Sequence, residues 1–311
     1  MTEQLKLKLN DSKATRWGAL VIVAFTMMAA YYVNDVVAPL KTMLETDLAW
    51  SSTDFGFFTG GYSFLNVFFL MLIWGGLILD RFGIRFTGKL ATILMVGGTA
   101  LEYYAMTGLA GADATLFGIN EIFGYKTGVF VAFAGYSIFG VGAEVAGITV
   151  SKIIAKWFKG KELATAMGVQ VALARIGSQA GYAVAIPLAR AFGISTPVLL
   201  GLVLLLGGMI AFFVFAVMDK KLDKQMEAAA IAAGTEDEEE KFSFKDVKNI
   251  LVNPGFWLIA LLCVLFYSCV FPFQKFASEL MIIKYGINEN VAGTFALSLI
   301  HISEPTRHAQ I

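Results

Sequence analysis

The sequence predicts an all-helical bundle inside a membrane, and three observations carry that prediction. Hydrophobic residues make up 57% of the chain and charged residues 15%, with a mean hydropathy of +0.69. Soluble chains run near 45–50% apolar and about 25% charged. Apolar runs of about 20 residues recur, the length that crosses a ~30 Å hydrocarbon core as a helix. Lysine and arginine gather between those runs mostly on one side, with only Lys41, Lys126 and Arg190 on the other over the first six spans, the bias that orients membrane helices. The net charge of zero gives no pull toward nucleic acid. Cys263 and Cys269 share one apolar run and do not read as a disulfide framework.

Residues 1–16 form a polar tail of mixed charge without the apolar core of a signal peptide. Six spans follow across residues 17–218: Trp17–Ala38, Phe55–Leu79, Gly88–Leu109, Thr127–Ala155, Leu163–Ala189 and Pro197–Met218. Lys6, Lys8, Lys13, Arg16, Arg81, Arg85, Lys89, Lys152, Lys156, Lys159 and Lys161 share one side, which is therefore expected to be cytoplasmic, with the amino terminus. Residues 219–253 read as a cytoplasmic charged linker containing the acidic run Glu236–Glu240, with Ala228–Ala233 able to form a short surface helix. Residues 254–296 read as the start of a second half: a seventh span from Gly255, broken by Pro272 before Ile283, and an eighth begun near Val291. His301, Glu304 and Pro305 arrive too early for that eighth span to complete. The string LSLIHISEPTRH resembles the conceptual translation of a transposase-based sequencing adapter, so residues 297–311 are expected to be non-native and the rest of a carboxy-terminal half to be missing.

Two ionisable residues lie deep in the fourth and fifth spans. Glu144 precedes the basic turn Lys156–Lys161 by about 11 residues and Arg175 follows it by about 14, so each sits roughly 17–20 Å from the same surface. An unpaired charge there costs on the order of 2.5–3.5 kcal/mol. The two are either a structural ion pair or poles for a ligand carrying both signs of charge. A peptide zwitterion fits the second reading. Glu144 would accept from its ammonium, and Arg175 would grip its carboxylate with two parallel hydrogen bonds. Tyr62 and Asn66 in span two, with Gln170 and Gln179 in span five, are either neutral partners for peptide amides or interhelical glue. Tyr31 and Tyr32 either line a cavity or pack. Asp35 reads as a gate or a helix cap, and Glu102 as a residue reaching the outer interface or a protonatable site. No metal-ligand spacing, nucleotide loop or catalytic triad occurs, so no enzyme, cofactor or metal is expected.

The run Gly76-Leu77-Ile78-Leu79-Asp80-Arg81-Phe82-Gly83-Ile84-Arg85 resembles the signature loop of the major facilitator superfamily. Gly76 is expected to allow close helix packing, Asp80 to face a helix amino terminus, and Arg81 and Arg85 to hold the Gly83 turn and pair with nearby acids. The turn Trp157–Leu163, with Gly168-Val169-Gln170 and Ala174–Ser178, resembles that superfamily's lysosomal dipeptide transporter branch and its bacterial relatives. So does Tyr62–Val67 running into Gly75-Gly76. The resemblance implies a major facilitator bundle, with Glu144 and Arg175 contacting the substrate termini. It implies transport of dipeptides or similar zwitterions by alternating access, with protons as a candidate co-substrate. An organic-anion transporter and a non-transporting receptor on the same fold are the alternatives. The tail lacks an acidic dileucine signal, and Asn10-Asp11-Ser12 falls on the cytoplasmic side, so a bacterial inner membrane is preferred to a lysosome.

Overall fold

Local side-chain chemistry sets the helix starts in the computed structural model, which describes residues 8–111, 114–233, 251–289 and 291–293. Ser12 caps α1 (Lys13–Val36) by accepting from the Thr15 amide. Ser51 and Asp54 form a reciprocal capping box at the head of α3 (Ser52–Phe68). Side-chain capping recurs later in the chain, where the Asn253 side chain accepts from the Gly255 amide at 2.9 Å. Pro254 there occupies the first turn, where its missing N–H costs nothing.

The remaining helices are α2 (Lys41–Asp47), α4 (Met71–Thr107), α5 (Thr127–Trp157), α6 (Leu163–Phe192), α7 (Thr196–Ala233) and α8 (Pro254–Tyr285). The all-helical expectation holds for the bundle. A small antiparallel hairpin, β1 (Glu121–Ile122) with β2 (Tyr125–Lys126), is added in the connection between α4 and α5. Four helical segments among the described residues are long and apolar enough to cross a membrane, and the pair α3–α4 together makes a fifth, bent by 58°. The α6 helix has 30 residues but is less apolar, because Gln170, Arg175, Ser178 and Gln179 interrupt it.

Four span boundaries differ from the sequence expectation. The second span is broken at Leu70, whose backbone is left-handed (φ 50°, ψ 38°). The helix α4 then runs through the signature loop, but Gly83 (φ 75°, ψ 173°) divides it into two helices, 71–82 and 84–107. Only glycine adopts such an angle without a Cβ penalty. The seventh span is not broken: α8 continues through Pro272 as one helix. Proline removes one backbone hydrogen bond, a loss that membrane helices tolerate. The helix of the sixth span does not end at Met218 either. The helix α7 carries on to Ala233, taking in Ala228–Ala233 as its last turns. The acidic run 236–240 and the tail 297–311 lie outside the described residues.

Helix pairs meet through small residues, as expected where lipid removes any hydrophobic drive between helices. A Cβ on Gly98 of α4 would stand 2.4 Å from the Phe139 amide nitrogen of α5, and one on Gly177 of α6 would stand 2.1 Å from the Met28 carbonyl oxygen of α1. The helix α1 thus packs on α6 and α7, while α5 packs on α3 and α4. On α7, Val203, Ile210 and Val217 recur every seventh residue and remain more than half exposed, a lipid-facing stripe.

Candidate substrate cavity

Between α1, α3, α5 and α8 lies a cavity of about 540 Å³. Tyr31 and Asn34 of α1 line it, as do Tyr62 and Asn66 of α3, Glu144 of α5 and Lys275 of α8. Glu144 is half-buried and accepts from the Tyr62 hydroxyl at 2.8 Å. Asn66 donates to the Tyr62 carbonyl at 3.0 Å, and its own side-chain oxygen has no hydrogen-bond partner among the described residues. The Arg175 guanidinium lies 5.7 Å from the centre of the Tyr31 ring, a cation–π distance. Arg175, Gln170 and Gln179 do not line it; α6, which carries them, packs on α1. Tyr31 thus touches both the cavity and Arg175. Tyr32 takes the other role considered for it: buried, it donates to the Pro197 carbonyl at 3.2 Å.

Sequence reasoning missed Lys275. The signal was available: a lone lysine in the apolar run Phe271-Pro272-Phe273-Gln274-Lys275-Phe276 is an intramembrane charge of the same kind as Glu144 and Arg175. Its ammonium donates to the Asn34 carbonyl at 2.6 Å and to the Tyr136 hydroxyl at 3.0 Å. The Asp35 carboxylate stands 4.0 Å away. Tyr136 itself donates to the Asn34 carbonyl at 2.7 Å, which closes a ring of three hydrogen-bonding groups. Asp35 is buried and accepts from the Asn34 side chain at 2.8 Å. Glu102 does not reach the interface. It is fully buried, and neither carboxylate oxygen has a hydrogen-bond partner among the described residues.

Further contacts tie α8 to the face of the bundle opposite the amino terminus. Lys41 pairs with Glu279 and Glu45 while donating to Ser52. Tyr182 donates to the Gln274 carbonyl at 2.9 Å, Phe55 packs edge-on against Phe276, and just beyond the helix Glu289 pairs with Arg190. The residues of α8 from Pro254 to Tyr267 carry no buried side chain.

At the amino-terminal face the signature loop makes a different set of contacts from those expected. Close packing falls on Gly75, whose Cβ would stand 2.6 Å from Val145, whereas a Cβ on Gly76 would meet nothing within 4 Å. Asp80 accepts from Lys152 of α5 at 2.9 Å. Arg85 does find acids. It pairs with Asp219 at 3.1 Å and with Asp223, both on the extension of α7. Asp219 is fully buried and also accepts from Lys156 at 2.8 Å and from the Trp157 indole at 3.0 Å. Arg81 lies over the Phe82 ring.

A family model for the Major Facilitator Superfamily matches residues 20–303. The chain belongs to that superfamily of membrane transporters, and its fold is the superfamily's helical bundle. It is 27% identical to proteins named lysosomal dipeptide transporter MFSD1 from Homo sapiens, over 94% of this chain and 59% of that protein, and from Pongo abelii, over 92% and 58%. The Gallus gallus protein of that name is 32% identical over 55% of this chain and 39% of its own length. The chain spans a little under three-fifths of the human and orangutan relatives.

Proposed function

We propose that this chain is the larger part of a transporter, rather than an enzyme, that moves dipeptides or similar small zwitterions by alternating access. The observation that carries the reading is the cavity itself. Its volume of about 540 Å³ lies within the ~300–1,000 Å³ range of small-molecule sites. One wall presents the Glu144 carboxylate beside the Tyr62 hydroxyl, Lys275 is a cation in the lining, and Arg175 lies against the lining ring of Tyr31. Glu144 receives the ligand's ammonium, and Arg175 receives its carboxylate once the Tyr31 ring turns aside. Tyr62 and Asn66 supply amide partners, with Gln170 and Gln179 approaching as α6 shifts. The named function of the curated relatives supports the same substrate class. Glu144 argues against an organic anion, because a carboxylate on the wall repels one.

Alternating access rocks one half against the other around a central site. The remainder of a second half is therefore part of the proposed working protein. The basic, amino-terminal face is assigned to the cytoplasm, and a bacterial inner membrane is the preferred location. Protons are retained as a candidate co-substrate through Asp35 or Glu102. Uptake that survives collapse of the pH gradient unchanged removes them.

The deciding experiment is a binding titration on the purified complete transporter with free, amino-acetylated and carboxyl-amidated dipeptides. Both blocked forms are expected to bind at least tenfold more weakly. Glu144→Gln should weaken the free-amine peptide while sparing the acetylated one. Arg175→Lys should fail despite its charge, because an ammonium cannot reproduce the planar fork. If end-blocking leaves wild-type affinity unchanged, the zwitterion reading is wrong, and Glu144 and Arg175 are charges of structural purpose.

A further inference from the structure

Lys275 has two positions in the architecture at once. It lines the cavity that Glu144 lines, and it joins α8 to α1 and α5 at the outer end of that cavity. We propose that Lys275 is a ligand-operated latch of the outer gate, released when the substrate carboxylate, shared with Arg175, takes its ammonium from the Asn34 carbonyl and the Tyr136 hydroxyl. The proposal rests on the zwitterion reading above and adds to it the group through which binding is felt by the gate.

The hydrogen-bond partners of the latch support this. An ammonium has three donors and no acceptor. Here two go to neutral oxygens, at 2.6 and 3.0 Å. The nearest paired carboxylate among the described residues, Asp35, stays at 4.0 Å, and its near oxygen already accepts from the Asn34 amide. The positive charge is thus held by weak partners with its counter-charge beyond hydrogen-bonding reach. An ionised acceptor makes a bond roughly twice as strong as a neutral one, so a ligand carboxylate in the cavity outcompetes both present partners. The other outer contacts differ in kind. Lys41 already has two carboxylates and a hydroxyl, and neither it nor Arg190 lines the cavity. Only the Lys275 contact is both polar and within reach of a ligand among the outer contacts described. Nor does Lys275 leave its partners cheaply on its own, since a bare ammonium at this depth is disfavoured. The ligand removes that obstacle, which makes gate opening conditional on occupancy.

The test uses the complete transporter with Cys263 and Cys269 replaced by serine and one reporter, Ser63→Cys, in the cavity lining. A membrane-impermeant thiol reagent is applied from the outer side, with alanyl-alanine or its carboxyl amide as the probe. Labelling should rise several-fold with the free acid and not with the amide. Lys275→Met should label rapidly without ligand and lose the response. Its preference for the acid over the amide should fall several-fold, the remainder being owed to Arg175. Tyr136→Phe removes one latch partner and leaves the cation. It should label faster at rest yet keep the preference for the acid, which a merely structural role for Lys275 does not predict. If Lys275→Met fails to fold, Lys275→Arg substitutes for it and should retain the acid preference. Equal responses to acid and amide, or wild-type behaviour of both Lys275→Met and Tyr136→Phe, overturn the latch. Dipeptide binding that depends on the free ends but leaves labelling unchanged overturns the latch alone; no dipeptide binding at all overturns both readings.

Discussion

Glu144, Glu102 and Glu162 are three carboxylates whose surroundings give them different tasks. Glu144 has a hydroxyl partner and a cavity wall, while Glu102 is fully enclosed without a hydrogen bond among the described residues. Glu162 lies in the basic turn between α5 and α6, where it pairs with Arg16 at 2.9 Å and Lys13 at 3.5 Å. The hydrogen bond from Arg16 holds its carboxyl below its ordinary value of 4.5. A depressed folded value means that the stabilisation is complete above the ordinary value and is lost as pH falls through the folded one. Glu162→Gln should therefore lower the melting temperature in detergent at pH 7 and at pH 6 alike. The gap to wild type should close only well below pH 4.5. A gap that closes between pH 7 and 6 would assign the effect to another group. Glu144 stood out as an ionisable residue inside an apolar run, and it lines the cavity. The place of Arg175 against the Tyr31 ring and outside the cavity lining was not legible, because depth along a helix says nothing about which neighbour stands beside a side chain. Lys275 was legible in principle, as a charge within an apolar run.

The helices themselves were largely legible, since apolar runs of membrane length leave little choice of secondary structure. Their interruptions were not. Pro272 reads as a break and is absorbed by α8, whereas Leu70 carries no turn signal and ends α3 in a left-handed conformation. A kink of that kind is decided by what the two halves of the span pack against, here α5 on both sides of the bend. Packing seams follow the same logic. Gly177 touches the α1 backbone, so Gly177→Ala forces α1 and α6 apart and should cost about 1–3 kcal/mol or more. Gly168 on the same helix faces open space. There the same substitution should be neutral or stabilise by up to about 1 kcal/mol through helix propensity. Thermal unfolding of the two purified variants checks the pair, and equal losses would show that the α1–α6 seam is not the cause.

For the whole molecule, the polar contacts fall into two layers. On the amino-terminal face, Arg85 and Lys156 converge on Asp219 and Asp223, and Asp80 meets Lys152, all within the first six spans. On the opposite face, the contacts of Lys41, Lys275 and Arg190 join those spans to the chain beyond the linker. Asp80 and Lys152 are each about half exposed, so their pair adds little to stability. Its effect should fall on the balance between the two access states. Asp80→Asn is expected to lower the maximal transport rate several-fold with little change in ligand affinity, measured by uptake alongside equilibrium binding. An unchanged rate would remove the loop from control of the cycle. The signature motif was legible as a string of letters. Its partners were not, because Asp219 and Asp223 belong to a helix that runs well past the membrane boundary expected for it.

The one-sided attachment of α8 has a mechanical consequence. At 32 residues the helix is about 48 Å long. Its polar anchors begin at Gln274 and Lys275, about two-thirds of the way along, and no side chain from Pro254 to Tyr267 is buried against the first six spans. Under the proposed latch, the contact at Lys275 is the point about which α8 tilts against the first six spans. Lys275 to Pro254 spans roughly 32 Å of helix, so a tilt of about 10° carries the inner tip by roughly 5–6 Å. A shift of hydrogen-bond partners around a single ammonium is thereby magnified into a movement the width of a side chain. Cys263 and Cys269 ride on the travelling arm.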